Sequence, residues 1–223
     1  MNVLLIGASR GIGLEFVHQY RDAGAAVTAT ARDAVGLARI AELGARAIRL
    51  DVTDAASTAT LGGQLEGTTF DVAIVNAGVN AKGKGGTGLD APAEDDFDWV
   101  MRTNVLGPMR VVAQIAASLA PGAKLAIVSS RMGSIGSRTA AGSSLYRASK
   151  SAVNSVLKDT SLVLGARALC IAFHPGWVRT DMGGSGADID VATSVAGMRK
   201  VLAGLAPKDT GGFFNYDGTT IAW

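Results

Sequence analysis

Near-continuous apolar runs alternate with helix-length amphipathic stretches from the first residues onward, and no other feature restricts the fold as much. The runs read NVLLI (2–6), AVTAT (26–30), RAIRL (46–50), FDVAIV (70–75), AKLAIVS (123–129) and ALCIAF (168–173). Helical patterning fills 11–23, 94–119 and 144–164 between them. Strands that carry little polar alternation are buried on both faces, which is the condition of a parallel sheet covered by helices. The alternation therefore predicts an α/β fold. One doubly wound domain spans 1–223, with a central parallel sheet of about seven strands and helices on both faces. No repeat or linker divides the chain, and the glycine-rich stretch NAKGKGGTGLD (80–90) reads as a surface loop.

Composition narrows the functional classes. Hydrophobic residues make up 48% and charged residues 18%, as in a compact globular chain rather than a disordered one. The net charge is +2 and no run of like charge occurs, which argues against nucleic acid or an anionic membrane as partner. The apolar runs are too short to span a bilayer. The apolar start MNVLLIGASRGIG lacks a basic leader region and is broken by glycines. The single cysteine, Cys170, excludes an internal disulfide, reads as a buried structural thiol and fits a reducing, cytoplasmic compartment. Neither His18 nor His174 has a Cys/Asp/Glu neighbourhood that suggests a metal, and both read as structural. No G-x-S-x-G elbow is present, so a serine hydrolase is disfavoured.

The first strand runs into LLIGASRGIGLEF, with Gly7, Gly11 and Gly13 spaced G-x-x-x-G-x-G. The spacing differs from the general dinucleotide loop, but the physics is shared. Gly7 allows a tight exit from the strand, while Gly11 and Gly13 keep side chains from between backbone, pyrophosphate and helix. Loop residues Gly7, Ser9, Arg10, Gly11, Ile12 and Gly13 are thus candidate cofactor contacts in a Rossmann-type fold. The second strand ends VTATARD, placing Arg32 where an NAD site would hold an acid. Arg10 and Arg32 would favour a 2′-phosphate, so NADP(H) is expected over NAD(H), with Asp33 the competing acidic candidate.

Further segments follow in order: LDV (50–52), NAG (76–78), Asn104 in MRTNVLG, VSS (128–130), YRASK (146–150) and HPGWVRTDM (174–182). In a doubly wound sheet the strand C-termini open onto one edge, so these segments converge on one crevice. Together they resemble the short-chain dehydrogenase/reductase family over essentially the whole chain. GGFFNYDGTTIAW and SSRMGSI are similar to its carbonyl-reductase branch, which includes sniffer and the C-factor signalling proteins. The resemblance implies a catalytic tetrad of Asn104, Ser130, Tyr146 and Lys150. It implies adenine contacts from Asp51 and Val52, ribose contacts from Asn76, Ala77 and Gly78, and nicotinamide contacts from Pro175, Gly176, Val178 and Thr180. Tyr146 and Lys150 would also touch the cofactor. Two departures stand out. Ile6 replaces the threonine common before the first glycine, removing a steadying hydrogen bond. Ser130 and Tyr146 are 16 positions apart, longer than usual, so 131–145 must bulge and Ser129 or Ser134 could replace Ser130.

Residues four apart on a helix are stacked neighbours, which puts Tyr146 and Lys150 into one crevice. A carbonyl that accepts hydride needs a proton, and a phenol can give it. An ammonium about 4 Å away, at an effective dielectric of about 20, would favour the phenolate by about 4 kcal/mol, roughly three pK units. Desolvation opposes part of this. Ser130 would donate to the substrate oxygen. By resemblance, Asn104 would hold a water that links Lys150 to solvent.

Arg131, Met132, Trp177 and the segment 182–195 are expected to line an apolar pocket for a small-molecule carbonyl compound, with 183–188 as a short mobile lid. The expected activity is NADPH-dependent reduction of a ketone, aldehyde or quinone. The alternative is a cofactor-binding signalling protein of the C-factor type, and a dehydratase or epimerase is a third possibility. The helices 94–119 and 144–164 could pair across a two-fold axis into a homodimer or tetramer.

Overall fold

The structure is a computed structural model and describes residues 1–81 and 91–223. Most of the glycine-rich stretch 80–90 lies outside the described residues. The strands are β1 (Asn2–Ile6), β2 (Ala26–Ala31), β3 (Arg46–Arg49), β4 (Phe70–Val75), β5 (Leu119–Val128), β6 (Ala168–His174) and β7 (Gly212–Asn215). They form one seven-stranded parallel sheet in the order β3-β2-β1-β4-β5-β6-β7. The direction of winding reverses between β1 and β4, which opens a crevice at the strand C-termini.

Helices cover both faces. On one side lie α1 (Gly11–Asp22), α2 (Ala34–Glu42) and, late in the chain, α8 (Val191–Gly204). Their apolar stripes bury Phe16, Val17, Ile40, Met198 and Leu202 against Val3, Leu5 and Ile74 of the sheet. The other side carries the short α3 (Ala55–Ala59) and α4 (Leu61–Gln64), then α5 (Glu94–Met101), α6 (Gly107–Ile115) and α7 (Ser144–Leu164). Here Val111, Ile115, Val153 and Leu157 pack on Leu4, Ile6 and Leu125. Each strand feeds both layers, which explains the unbroken apolar runs.

Two boundaries differ from the sequence expectation. The pattern over 94–119 is not one α-helix, because a π-helical turn, Arg102–Leu106, separates α5 from α6 and a 3₁₀ turn follows at Ala116–Ser118. Pro108 has no N–H to give the Asn104 carbonyl four residues earlier, and its ring crowds that carbonyl. The helix opens there, and Asn104 sits in the opened turn. β5 starts at Leu119 rather than 123, but its register jumps between Phe70↔Leu119 and Val72↔Lys124, with Gly122 left-handed at φ 75°. The regular ladder therefore begins where the apolar run does.

The glycines of the first loop meet different demands. Gly7 has φ 84°, and a Cβ there would lie 2.8 Å from Ala77. A Cβ on Gly13 would lie 2.2 Å from the Gly7 carbonyl oxygen and 2.7 Å from Asn76 Nδ2. In contrast, Gly63 in α4 would meet nothing within 4 Å. Gly13→Ala should cost about 1–3 kcal/mol through backbone overpacking. Gly63→Ala should be neutral or stabilising by up to about 1 kcal/mol through helix propensity. Chemical denaturation of the two variants checks the contrast, and equal stabilities would contradict it.

Candidate active site

At the mouth of the crevice, β1 turns into α1, and no side chain caps the first turn of that helix. Its leading amides stay available to an anion, and the helix dipole favours negative charge there. The Gly7 N–H donates to Thr30 Oγ1 at 3.0 Å and the Ala8 N–H to the Thr30 carbonyl at 2.8 Å. Thr30 of β2 thus anchors a loop that Ile6 leaves without a hydroxyl of its own. Asn76 closes the other side, its Nδ2 donating to the Gly7 carbonyl at 2.7 Å. Ser9 and Ile12 are half-buried, Ile12 packing on the core beneath.

Around the adenosine corner, Arg10 and Arg32 are both exposed. Arg10 Nη1 pairs with Asp181 Oδ2 at 2.8 Å, which ties the loop to the segment after β6. Asp33 instead caps α2, accepting from the Gly36 N–H at 2.7 Å. Asp51 Oδ1 accepts from the Thr53 N–H and Oγ1, and Val52 is buried against Gly107. Ala77 and Gly78 follow Asn76 at the end of β4.

The tetrad candidates come together. Ser130 lies two residues beyond β5, and its hydroxyl accepts from the Met132 N–H at 3.2 Å and hydrogen-bonds the Tyr146 phenol. The other two serines are engaged elsewhere: Ser129 Oγ donates to Asn154 Oδ1 and Ser134 Oγ to the Ala222 carbonyl. The long 131–145 segment is held from beneath by the C-terminal residues. Gly136 N–H donates to the Trp223 carbonyl at 2.9 Å, and Trp223 stacks on Phe213 with centroids 5.3 Å apart. Gly133 lets the segment touch α7, since a Cβ there would lie 2.6 Å from the Lys150 carbonyl carbon. Ser143, a non-glycine residue at φ 50°, turns the chain into α7 one turn before Tyr146.

Lys150 is buried, and its Nζ donates to the Val128 carbonyl at 3.0 Å while lying 5.7 Å from the centroid of the Tyr146 ring. Burial lowers the Lys150 pKa to about 8. The Tyr146 phenol is also half-buried; withdrawal from water raises its pKa above the usual 10.0, with the Ser130 hydrogen bond acting in the opposite direction. This corrects the expectation that the lysine draws the phenol toward neutral pH. Both groups leave water together, and for the phenol the cost of burying its charged form is the largest effect.

Asn104 lies in the π-helical turn between α5 and α6. It is buried, its Oδ1 accepts from the Val79 N–H at 2.8 Å, and its Nδ2 donates to the Val79 carbonyl at 2.8 Å and to Ser149 Oγ at 3.0 Å. The side chain pins the strand-end loop to α7. Ser149, within YRASK itself, was the unrecognised partner.

After β6, Pro175 and Gly176 turn the chain, Gly176 at φ 86°. Val178 is buried and bridges to Ile189, and Thr180 Cγ2 lies over Gly11. The start of the expected lid, 183–188, is tied to the turn that precedes it. Trp177 Nε1 donates to the Gly183 carbonyl at 2.9 Å, and the Gly183 N–H to Thr180 Oγ1 at 3.1 Å. Trp177 and Met182 are 54% and 53% exposed, so apolar surface does line this side. His174 is pushed down to about 4 by burial and stays neutral, while burial raises Cys170 to about 11, leaving an inert thiol. No metal-binding cluster occurs among the described residues, and no helix there is long and apolar enough to cross a membrane.

A glycine loop on the first strand, a switch-point crevice and an apposed Ser–Tyr–Lys set define a nucleotide-dependent oxidoreductase class. The chain belongs to the short-chain dehydrogenase family, whose sequence model matches residues 1–188. It is 41% identical to the C-signal protein of Myxococcus xanthus over 160 residues, which covers 69% of this chain and 92% of that protein. A short-chain dehydrogenase/reductase from Burkholderia multivorans crystallised with NADP superposes with a TM-score of 0.91 at 32% identity, over 100% of this chain and 99% of the other. The carbonyl reductase Sniffer of D. melanogaster gives 0.89 at 30% identity, with the same coverage.

If burial governs the phenol, cofactor-free protein should show no tyrosinate from Tyr146 below pH 10. Ultraviolet titration of wild type and Tyr146→Phe should coincide up to that pH. An absorbance step below pH 10 that the variant lacks would contradict the geometry.

Proposed function

We propose that the protein is an NADP(H)-dependent reductase of small-molecule carbonyl compounds, with Tyr146 as proton donor. The observation that carries this reading is a phenol hydrogen-bonded to Ser130 and stacked beside a buried amine at the sheet's carboxyl edge. The crevice suits a dinucleotide: α1 is uncapped, Gly11 has φ 53°, and the exposed Arg10 and Arg32 stand at the adenosine corner. NADPH, when bound, supplies the hydride.

The chain's own residues do the rest. Ser130 donates to the substrate oxygen as negative charge grows on it. Tyr146 remains protonated at neutral pH and gives its proton to that oxygen, leaving a phenolate beside Lys150. Lys150 uses one of its three donors on Val128, so two can hold the nicotinamide ribose and fix the face presented to substrate. Asn104 keeps the Val79 backbone and α7 in register. Met132, Trp177 and Met182 offer an apolar wall suited to aromatic or quinone-like carbonyls. The same reading places the enzyme in the cytoplasm as a single-domain homo-oligomer, with Phe97 and Met109 of the α5–α6 face, 47% and 50% exposed, available to a second copy.

The C-signal similarity favours a second reading, in which the biological role depends on nucleotide binding rather than turnover. A Tyr146→Phe protein that rescues a deletion phenotype in full would favour it.

Wild type mixed with NADPH and a panel of aromatic aldehydes, ketones and quinones should lose nicotinamide absorbance. Tyr146→Phe should be at least about 100-fold slower. Equal consumption by the two proteins would overturn the enzymatic reading.

A further inference from the structure

Arg39 stands outside every segment that the sequence pattern singled out, yet it reaches the glycine loop. α2 is pressed against that loop through Gly36, where a Cβ would lie 2.7 Å from Ser9 Cβ and 2.8 Å from Ala31 Cβ. Arg39 is three residues further along, on the same helical face. Helical side chains lean toward their own N-terminus, which here is the crevice end. Its guanidinium accordingly returns to the loop, with Nη1 donating to the Ser9 carbonyl at 3.4 Å.

The neighbouring charges are unequally free. Arg10 already has a carboxylate partner in Asp181 at 2.8 Å. The Asp33 carboxylate accepts from the Gly36 amide and forms no ion pair within 4 Å with Arg32 or Arg39. Arg32 is exposed, and its own carbonyl accepts from Arg49 Nη1 at 3.2 Å. Among the described residues, neither Arg32 nor Arg39 makes an ion pair within 4 Å. A guanidinium presents five N–H donors in a rigid fork, so one bond to Ser9 orients Arg39 and leaves most of its donors for a ligand. The ligand that fits two uncompensated guanidiniums flanking a nucleotide loop is a phosphate monoester.

We infer that Arg39 is a cofactor-specificity residue: anchored on the Ser9 carbonyl, it joins Arg32 in binding the adenosine 2′-phosphate. The inference rests on the proposed use of NADP(H). Arg10 then acts mainly as the tie to Asp181, and Arg39 supplies the cation that the tie removes.

The test is calorimetric titration of wild type, Arg39→Ala and a control, Arg46→Ala, whose guanidinium donates to the Gln64 carbonyl at the far end of β3. Each protein is titrated with NADP⁺, NAD⁺ and 2′,5′-ADP, and thermal melts check folding. Loss of a charge-assisted phosphate contact predicts that Arg39→Ala weakens NADP⁺ and 2′,5′-ADP about tenfold or more. NAD⁺ affinity should stay within about twofold, and Arg46→Ala should match wild type. Wild type that prefers NADP⁺ together with an Arg39→Ala that weakens both cofactors equally, or neither, overturns the assignment of Arg39 alone. Wild type that binds NAD⁺ as tightly as NADP⁺ overturns the cofactor reading and the assignment with it.

Discussion

The burial of the Lys150 amine is the constraint around which the crevice is arranged. A cation withdrawn from water is costly unless hydrogen bonds replace its hydration. Lys150 is 5% exposed, and its ammonium has one hydrogen bond, to the Val128 carbonyl, among the described residues. The surrounding backbone gives way to make room. Gly78 leaves free the space where a Cβ would stand 3.2 Å from Nζ, and Gly133 lets the 131–145 segment cross the Lys150 backbone. Two demands of packing, close approach of β4's loop and close approach of the β5 segment, thus follow from one side chain.

That amine also explains the division of labour beside it. Because burial acts on phenol and amine alike, Tyr146 starts as an acid and not as a phenolate. An acid is what the proposed carbonyl reduction would consume, and the amine would act most strongly once the proton has left. Ser130 hydrogen-bonds the phenol, as the proposed proton transfer requires. Asn104 contributes at one remove, through Val79 and Ser149.

The doubly wound sheet was legible because its strands are buried on both faces and so lack polar alternation. The crevice segments were legible because glycines and strand ends punctuate them. Other features depend on tertiary approach and leave no local signature. Thr30 anchors Gly7 from the neighbouring strand, Asp181 meets Arg10 across the crevice, and the Ala222 and Trp223 carbonyls hold the Ser134–Gly136 turn. The π turn was readable in principle, since Pro108 lies four residues after Asn104, but helical periodicity over 94–119 concealed it. The direction of the Tyr146 shift was misread because spacing shows a nearby charge and not the water that both groups lose.

The most direct measurement is the titration of the Lys150 amine in the cofactor-free protein, followed by NMR of ¹³Cε-labelled lysine, with Lys150→Met identifying the resonance. A buried amine held by Val128 predicts a midpoint near 8, whereas a midpoint at the ordinary 10.5 would contradict the account.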